Sequence, residues 1–167
     1  MKDSILKLAL QRMNQGYEEQ IPFYERMYAI ALEQEITLQL EEVNTDQLVE
    51  LIARRQDLIG SLEELNGEIT RLKGEVCIAL GIKDFNISTL REKLTGPKVE
   101  DLAEVIGRLA QLLQKIKELD KTNEDTLRTH IRDTKDKLTQ LQNAKKANKA
   151  YKPEPLAKDG VFVDFSK

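Results

Sequence analysis

Apolar residues recur along residues 44–80 with a heptad rhythm. With Leu48 taken as position a, the a and d positions are Leu48, Leu51, Arg55, Leu58, Leu62, Leu65, Ile69, Leu72, Val76 and Ala79. All but Arg55 are apolar, so the segment reads as a helix with a seam built for another helix. Asn44 is placed to cap its start, with Gln47 answering from the third helical position and Val43 and Leu48 supplying a hydrophobic staple. At a rise of about 1.5 Å per residue the helix is about 55 Å long, whereas a compact domain of this size has a radius of gyration of only about 15 Å. The predicted fold is therefore all-α: an elongated bundle of three long antiparallel helices with a short connecting helix and an irregular C-terminal tail.

The flanking segments carry matching patterns. Over residues 1–42, Leu6, Leu10, Met13, Tyr17, Gln20, Tyr24, Met27, Ala31, Gln34 and Leu38 alternate at spacings of four and three. The stripe keeps its phase across Pro22, which predicts one long first helix bent near that proline. Gln20 and Gln34 either fix the register or are imperfections in the stripe. Gly81 is placed to end the second helix, and residues 81–98 form a connection in which Ser88 caps a short helix. There Phe85, Ile87, Leu90 and Leu94 plug one end of the bundle. The third long helix is expected from Lys98 or Val99 to about Asn143, with a stripe of Leu102, Ile106, Leu109, Leu113 and Ile116. Asp120 and Asn123 follow in that stripe, then Leu127, Ile131, Thr134, Leu138 and Leu141. A buried Leu or Ile contributes about 1.5–3 kcal/mol, so the polar-diluted second half is expected to depend on something outside the chain. Two regions follow: a helical bundle domain, 1–143, and a basic, proline-containing tail, 144–167. The tail ends in the strand-like alternation Val161 to Phe165.

Composition narrows the chemistry. Aromatic residues are 5% of the chain, charged residues 33%, and tryptophan is absent, a balance suited to Leu/Ile helix seams. A net charge of −3 gives no reason to expect nucleic acid. No apolar run reaches the length of a membrane span, and the start lacks the apolar core of a signal peptide, so a cytoplasmic protein without stable membrane insertion is expected. The single histidine, His130, rules out metal sites built on two imidazoles and reads as a helix-flank residue. The single cysteine, Cys77, reads as a structural thiol beside the seam. There is no phosphate loop or nucleophile elbow, and the carboxylate pairs Glu41-Glu42 and Glu63-Glu64 read as solvated helix faces. Neither an enzyme nor a cofactor or metal is expected. Gly60, Gly67, Gly74 and Gly81 recur every seven residues opposite the seam. They are either a groove for a further helix or tolerated on a solvent face.

Several stretches resemble the FlgN family of flagellar export chaperones. They are Asn44-Thr45-Asp46-Gln47-Leu48, the run from Leu51 to Ile59, Leu80-Gly81-Ile82 followed by Ser88-Thr89-Leu90, and the stretch from Leu119 to Leu127. In that last stretch the family often carries two asparagines three apart; Asn123 matches the second, and Asp120 stands in place of the first. The resemblance covers about residues 17 to 151. It implies a cytoplasmic chaperone that works with the export apparatus. Such a chaperone binds the amphipathic terminal helices of the hook–filament junction proteins, FlgK and FlgL, before type III export, and prevents their premature assembly. It also implies that binding lies toward the C-terminal end, here at Leu127, Ile131, Leu138, Leu141 and Tyr151. The same seams fit an alternative, a self-associating coiled-coil scaffold or adaptor protein, which would be a homo-oligomer.

Overall fold

The computed structural model describes residues 2–151, for Tyr151 the backbone alone. Every described element is a helix: α1 Lys2–Leu38, α2 Thr45–Leu80, α3 Ile87–Lys93 and α4 Pro97–Tyr151. The chain divides into two compact units, Met1–Thr126 and Leu127–Lys167. The pattern Val161 to Phe165 and the prolines Pro153 and Pro155 lie outside the described residues.

In the first unit, α1, α2 and the beginning of α4 lie side by side. Cross-contacts fix their directions. Gln20 meets Asn66 while Glu33 meets Arg54, so α1 and α2 are antiparallel. Gln11 meets Lys98, Glu18 meets Arg108 and Ala31 meets Asn123, so α4 runs back parallel to α1. The α2 seam faces inward as its period requires: the buried residues of α2 are Leu51, Leu62, Ile69, Leu72 and Val76, every one an a or d position. The α1 stripe also faces inward, with Leu6, Leu10, Met13, Tyr17, Gln20, Met27, Ala31 and Leu38 buried. Gly16 permits the close approach of α1 to α2, since a Cβ there would stand 3.2 Å from Cγ1 of Ile69.

Local signals set most helix ends. The Asn44 side chain accepts the Gln47 amide at 3.1 Å, and Gly81, at φ 67°, ends α2 in the left-handed conformation. α1 passes through Pro22 without a break. Pro22 and Glu18, whose carbonyl loses its helical donor, both lie on the exposed side, where water can replace the bond. Three expectations are corrected. Asn86, not Ser88, caps α3, its side chain accepting the Thr89 amide at 2.7 Å; asparagine closes this ring at least as well as serine. α4 ends at Tyr151, not near Asn143, because the Ala- and Lys-rich run 144–151 is made of strong helix formers. Leu113, expected in the seam, is exposed, while Val99 and Val105 are buried and Leu112 packs inward. α4 faces two helices at once, so its inner face is wider than one row, and an unstrained helix drifts about 20° per heptad from a strict repeat.

The core is interrupted by polar layers. One cluster joins Leu6, Leu10, Met13, Tyr17, Ile69, Leu72 and Val76 to Val99, Leu102, Val105 and Leu109 of α4, with Leu90 of α3 inserted at its end. Phe85, Ile87 and Leu94 pack half-buried against it, as the end plug requires. A smaller cluster joins Met27, Leu62 and Ile116. At the boundary of these two clusters the buried Gln20 donates to Asn66 at 2.7 Å, which favours the register-fixing reading of that glutamine. Beyond the second cluster Arg55, the exception in the α2 seam, forms a bidentate pair with Asp120 of α4 and donates to Gln34 of α1 at 3.5 Å. Asn123 is buried next along α4 and donates to the Ala31 carbonyl at 2.9 Å. Asp120 and the Asn123 amide nitrogen are therefore partnered within the chain, contrary to the expected outside dependence, while the buried Asn123 Oδ1 has no hydrogen-bond partner among the described residues.

Three predictions follow from this packing. Asp120→Leu alone should cost about 1–3 kcal/mol in chemical denaturation, because it strands the Arg55 guanidinium. Adding Arg55→Met should recover most of that loss. Among the described residues, nothing beyond the chain neighbours and the helix's own backbone lies within 4 Å of a Cβ placed at Gly67 or Gly74, so alanine at each should add about 1 kcal/mol; Gly16→Ala, crowded by Ile69, should give no such gain. The third prediction concerns pH. Arg91 of α3 holds Glu100 of α4 in two hydrogen bonds of 2.8 and 3.0 Å, and these, with the guanidinium charge, lower the Glu100 pKa. A depressed carboxyl pKa stabilises the fold above its ordinary value of 4.5 and ceases to do so as pH falls through the depressed one. Hydrogen exchange of residues 87–93 should therefore quicken below that value, and Glu100→Gln should remove the dependence.

Candidate functional site

The residues expected to bind a partner lie in the second unit, on the stretch of α4 from residue 127 to 151. Spacings of four, seven and three place Leu127, Ile131, Leu138 and Leu141 on one face of the helix, with Thr134 filling the gap in the row. All four apolar side chains are exposed, at 39%, 48%, 56% and 63%. The row spans about 21 Å of helix. The Thr134 hydroxyl donates to the His130 carbonyl at 2.8 Å, so the polar member of the row satisfies itself and leaves its methyl group to the face. Tyr151 is the last residue of α4. At about 100° per residue it stands roughly a third of a turn away from the row, so the structure groups four of the five expected residues and not the fifth.

The surroundings of the row are polar and basic. Lys135, Lys137, Lys145, Lys146 and Lys149 are exposed, and His130 is half-buried. A helix with four exposed aliphatic residues in line and cationic side chains around them can receive an apolar helical face. Among the described residues no group of three or more His, Cys, Asp or Glu side chains is arranged to hold a metal ion. No helix among the described residues is long and apolar enough to cross a membrane.

The first unit exposes a further apolar group that the sequence reading passed over. Leu32 and Ile36 lie four apart near the end of α1, Leu40 follows in the turn after it, and Val49 and Ile52 lie near the start of α2; all are exposed. The signal was present in the sequence as an i, i+4 row off the main α1 stripe. Leu32 and Tyr28 line a shallow cleft of about 380 Å³ against Lys115 and Leu119 of α4.

No curated protein and no solved structure matches the chain. A family model described as FlgN protein matches residues 1–157. That span takes in all of the described helices, from the capped start of α2 to the exposed row of α4. The chain belongs to the FlgN family, a family of flagellar export chaperones.

Proposed function

We propose that the chain is a cytoplasmic export chaperone that holds the amphipathic terminal helices of hook–filament junction proteins, of the FlgK and FlgL kind, before they reach the export apparatus. The observation that carries this reading is the row Leu127, Ile131, Leu138 and Leu141. It keeps the spacing of a helix seam while remaining exposed. Segments that polymerise through amphipathic helices are unfolded and adhesive before assembly, and burying their apolar face in a helical groove blocks early polymerisation without requiring a folded cargo. Holding and releasing such a segment needs no nucleotide and no covalent step, so no enzymatic activity is part of the proposal.

Magnitudes favour a reversible complex. Covering four side chains that are already about half buried contributes roughly half of the usual 1.5–3 kcal/mol each. Association costs at least about 4 kcal/mol, so the row alone gives weak binding, suited to a cargo that must be handed on. The alternative, a coiled-coil scaffold made of copies of this chain, would use the same row.

The C-terminal segment of a junction protein should co-purify with the chain. Leu138→Asp combined with Leu141→Asp should abolish this while leaving the circular dichroism of the helices unchanged, because both positions are exposed. Retention of the cargo by that variant would overturn the proposed site. A stable homodimer that ignores the segment would favour the scaffold.

A further inference from the structure

Charge is divided unevenly along the chain. Residues 1–126 hold 16 Lys and Arg against 24 Asp and Glu, a net charge of −8, while residues 127–151 hold seven against two, a net charge of +5. Such a split marks a segment adapted to a partner of opposite sign. Within the basic segment the charges are not spread evenly around the helix. At about 100° per residue, Lys145 and Lys149 continue the line of Leu127, Thr134, Leu138 and Leu141. Lys135 and Lys146 stand about a quarter turn away, both on the same side. The two carboxylates, Asp133 and Asp136, fall on the far side. All four of these lysines are exposed.

We infer that the occupant of the Leu127–Leu141 row is an acidic amphipathic helix, whose Asp and Glu residues meet Lys135, Lys145, Lys146 and Lys149. The inference rests on the docking site proposed above and adds the chemistry of its partner. An apolar row flanked by Lys135 and Lys146 on one side and by Lys137 on the other is matched by an apolar row with acidic margins. The same segment of a second copy is a poor occupant, because two surfaces of net +5 repel. A lipid surface is also a poor match. Residues 127–150 contain no aromatic side chain, so the row lacks the Trp or Tyr that anchors helices at a membrane interface. An RNA or DNA strand would meet the lysines and leave the aliphatic row unused.

The test uses the full chain and two synthetic amphipathic peptides with the same Leu and Ile positions, one flanked by Glu and the other by Lys. Fluorescence anisotropy at low salt should show the Glu peptide binding about tenfold tighter, the equivalent of a few exposed charge pairs. The preference should shrink as salt shortens the range of the charges. Lys135→Glu with Lys146→Glu should remove most of the preference, and Leu138→Asp with Leu141→Asp should abolish binding of both peptides. Equal binding of the two peptides, lost in the leucine variant, would overturn the acidic partner and leave the docking site standing. Binding of the Glu peptide that survives the leucine variant would show charge attraction without a seated helix and would overturn both. Capture by phosphatidylglycerol vesicles in place of the peptides, or self-association that the Glu peptide does not displace, would overturn the inference in favour of a membrane or a second copy.

Discussion

The packing of the first unit depends on burial along the a and d row of α2. Leu51, Leu62, Ile69, Leu72 and Val76 are the buried residues of that helix, and they face α1 and α4 together. One row can serve two neighbours because the neighbours run parallel to each other and antiparallel to α2. Each buried side chain contributes about 1.5–3 kcal/mol, so the row outweighs the surface ion pairs, such as Arg54 with Glu33, which contribute little when exposed to solvent. The caps and the left-handed Gly81 decide where the helices stop. The row decides which faces meet.

Burial by itself does not fix how far one helix slides along another, since Leu against Leu tolerates shifts that a matched polar pair does not. Gln20 with Asn66 and Arg55 with Asp120 and Gln34 are matched pairs of this kind, and they sit at two different levels of the unit. A slip of one turn in one direction would bring Ile116 of α4 to the level of the Arg55 guanidinium, whose side chain is only 20% exposed. The cost of stranding that charge is comparable to the gain from one buried leucine. Polar residues inside the seams therefore limit the alternatives more than they add to stability.

Much of this organisation was legible in the sequence. The period of α2, its Asn44 cap, the Gly81 stop, the persistence of α1 through Pro22 and the plug of Leu90 follow from spacing and from local backbone chemistry. What was not legible was pairing between helices. Arg55, Gln34 and Asp120 each read as an isolated fault in its own stripe, because periodicity describes one helix at a time and carries no register between helices. Leu113 was misassigned for a related reason: a strict a and d count assumes one partner, and α4 has two. α4 runs beyond Asn143 because lysine and alanine are good helix formers, although a lysine run in the sequence suggests a solvated tail.

The two halves of the polar dilution in α4 have different origins, and the difference bears on function. Asp120 and the Asn123 amide nitrogen meet polar atoms of α2 and α1, so the departure from leucine there is a property of the fold. Beyond Thr126 the situation is reversed: the apolar spacing continues at Leu127, Ile131, Leu138 and Leu141, while the side chains are exposed. A helix that only had to stay solvated would gain nothing from keeping leucine and isoleucine in line, since glutamate, lysine and glutamine form helix about as well and expose no apolar surface. On the proposed reading, the in-line apolar row on an exposed, basic helix serves a guest helix of opposite charge, and its shortness suits a cargo that is later released.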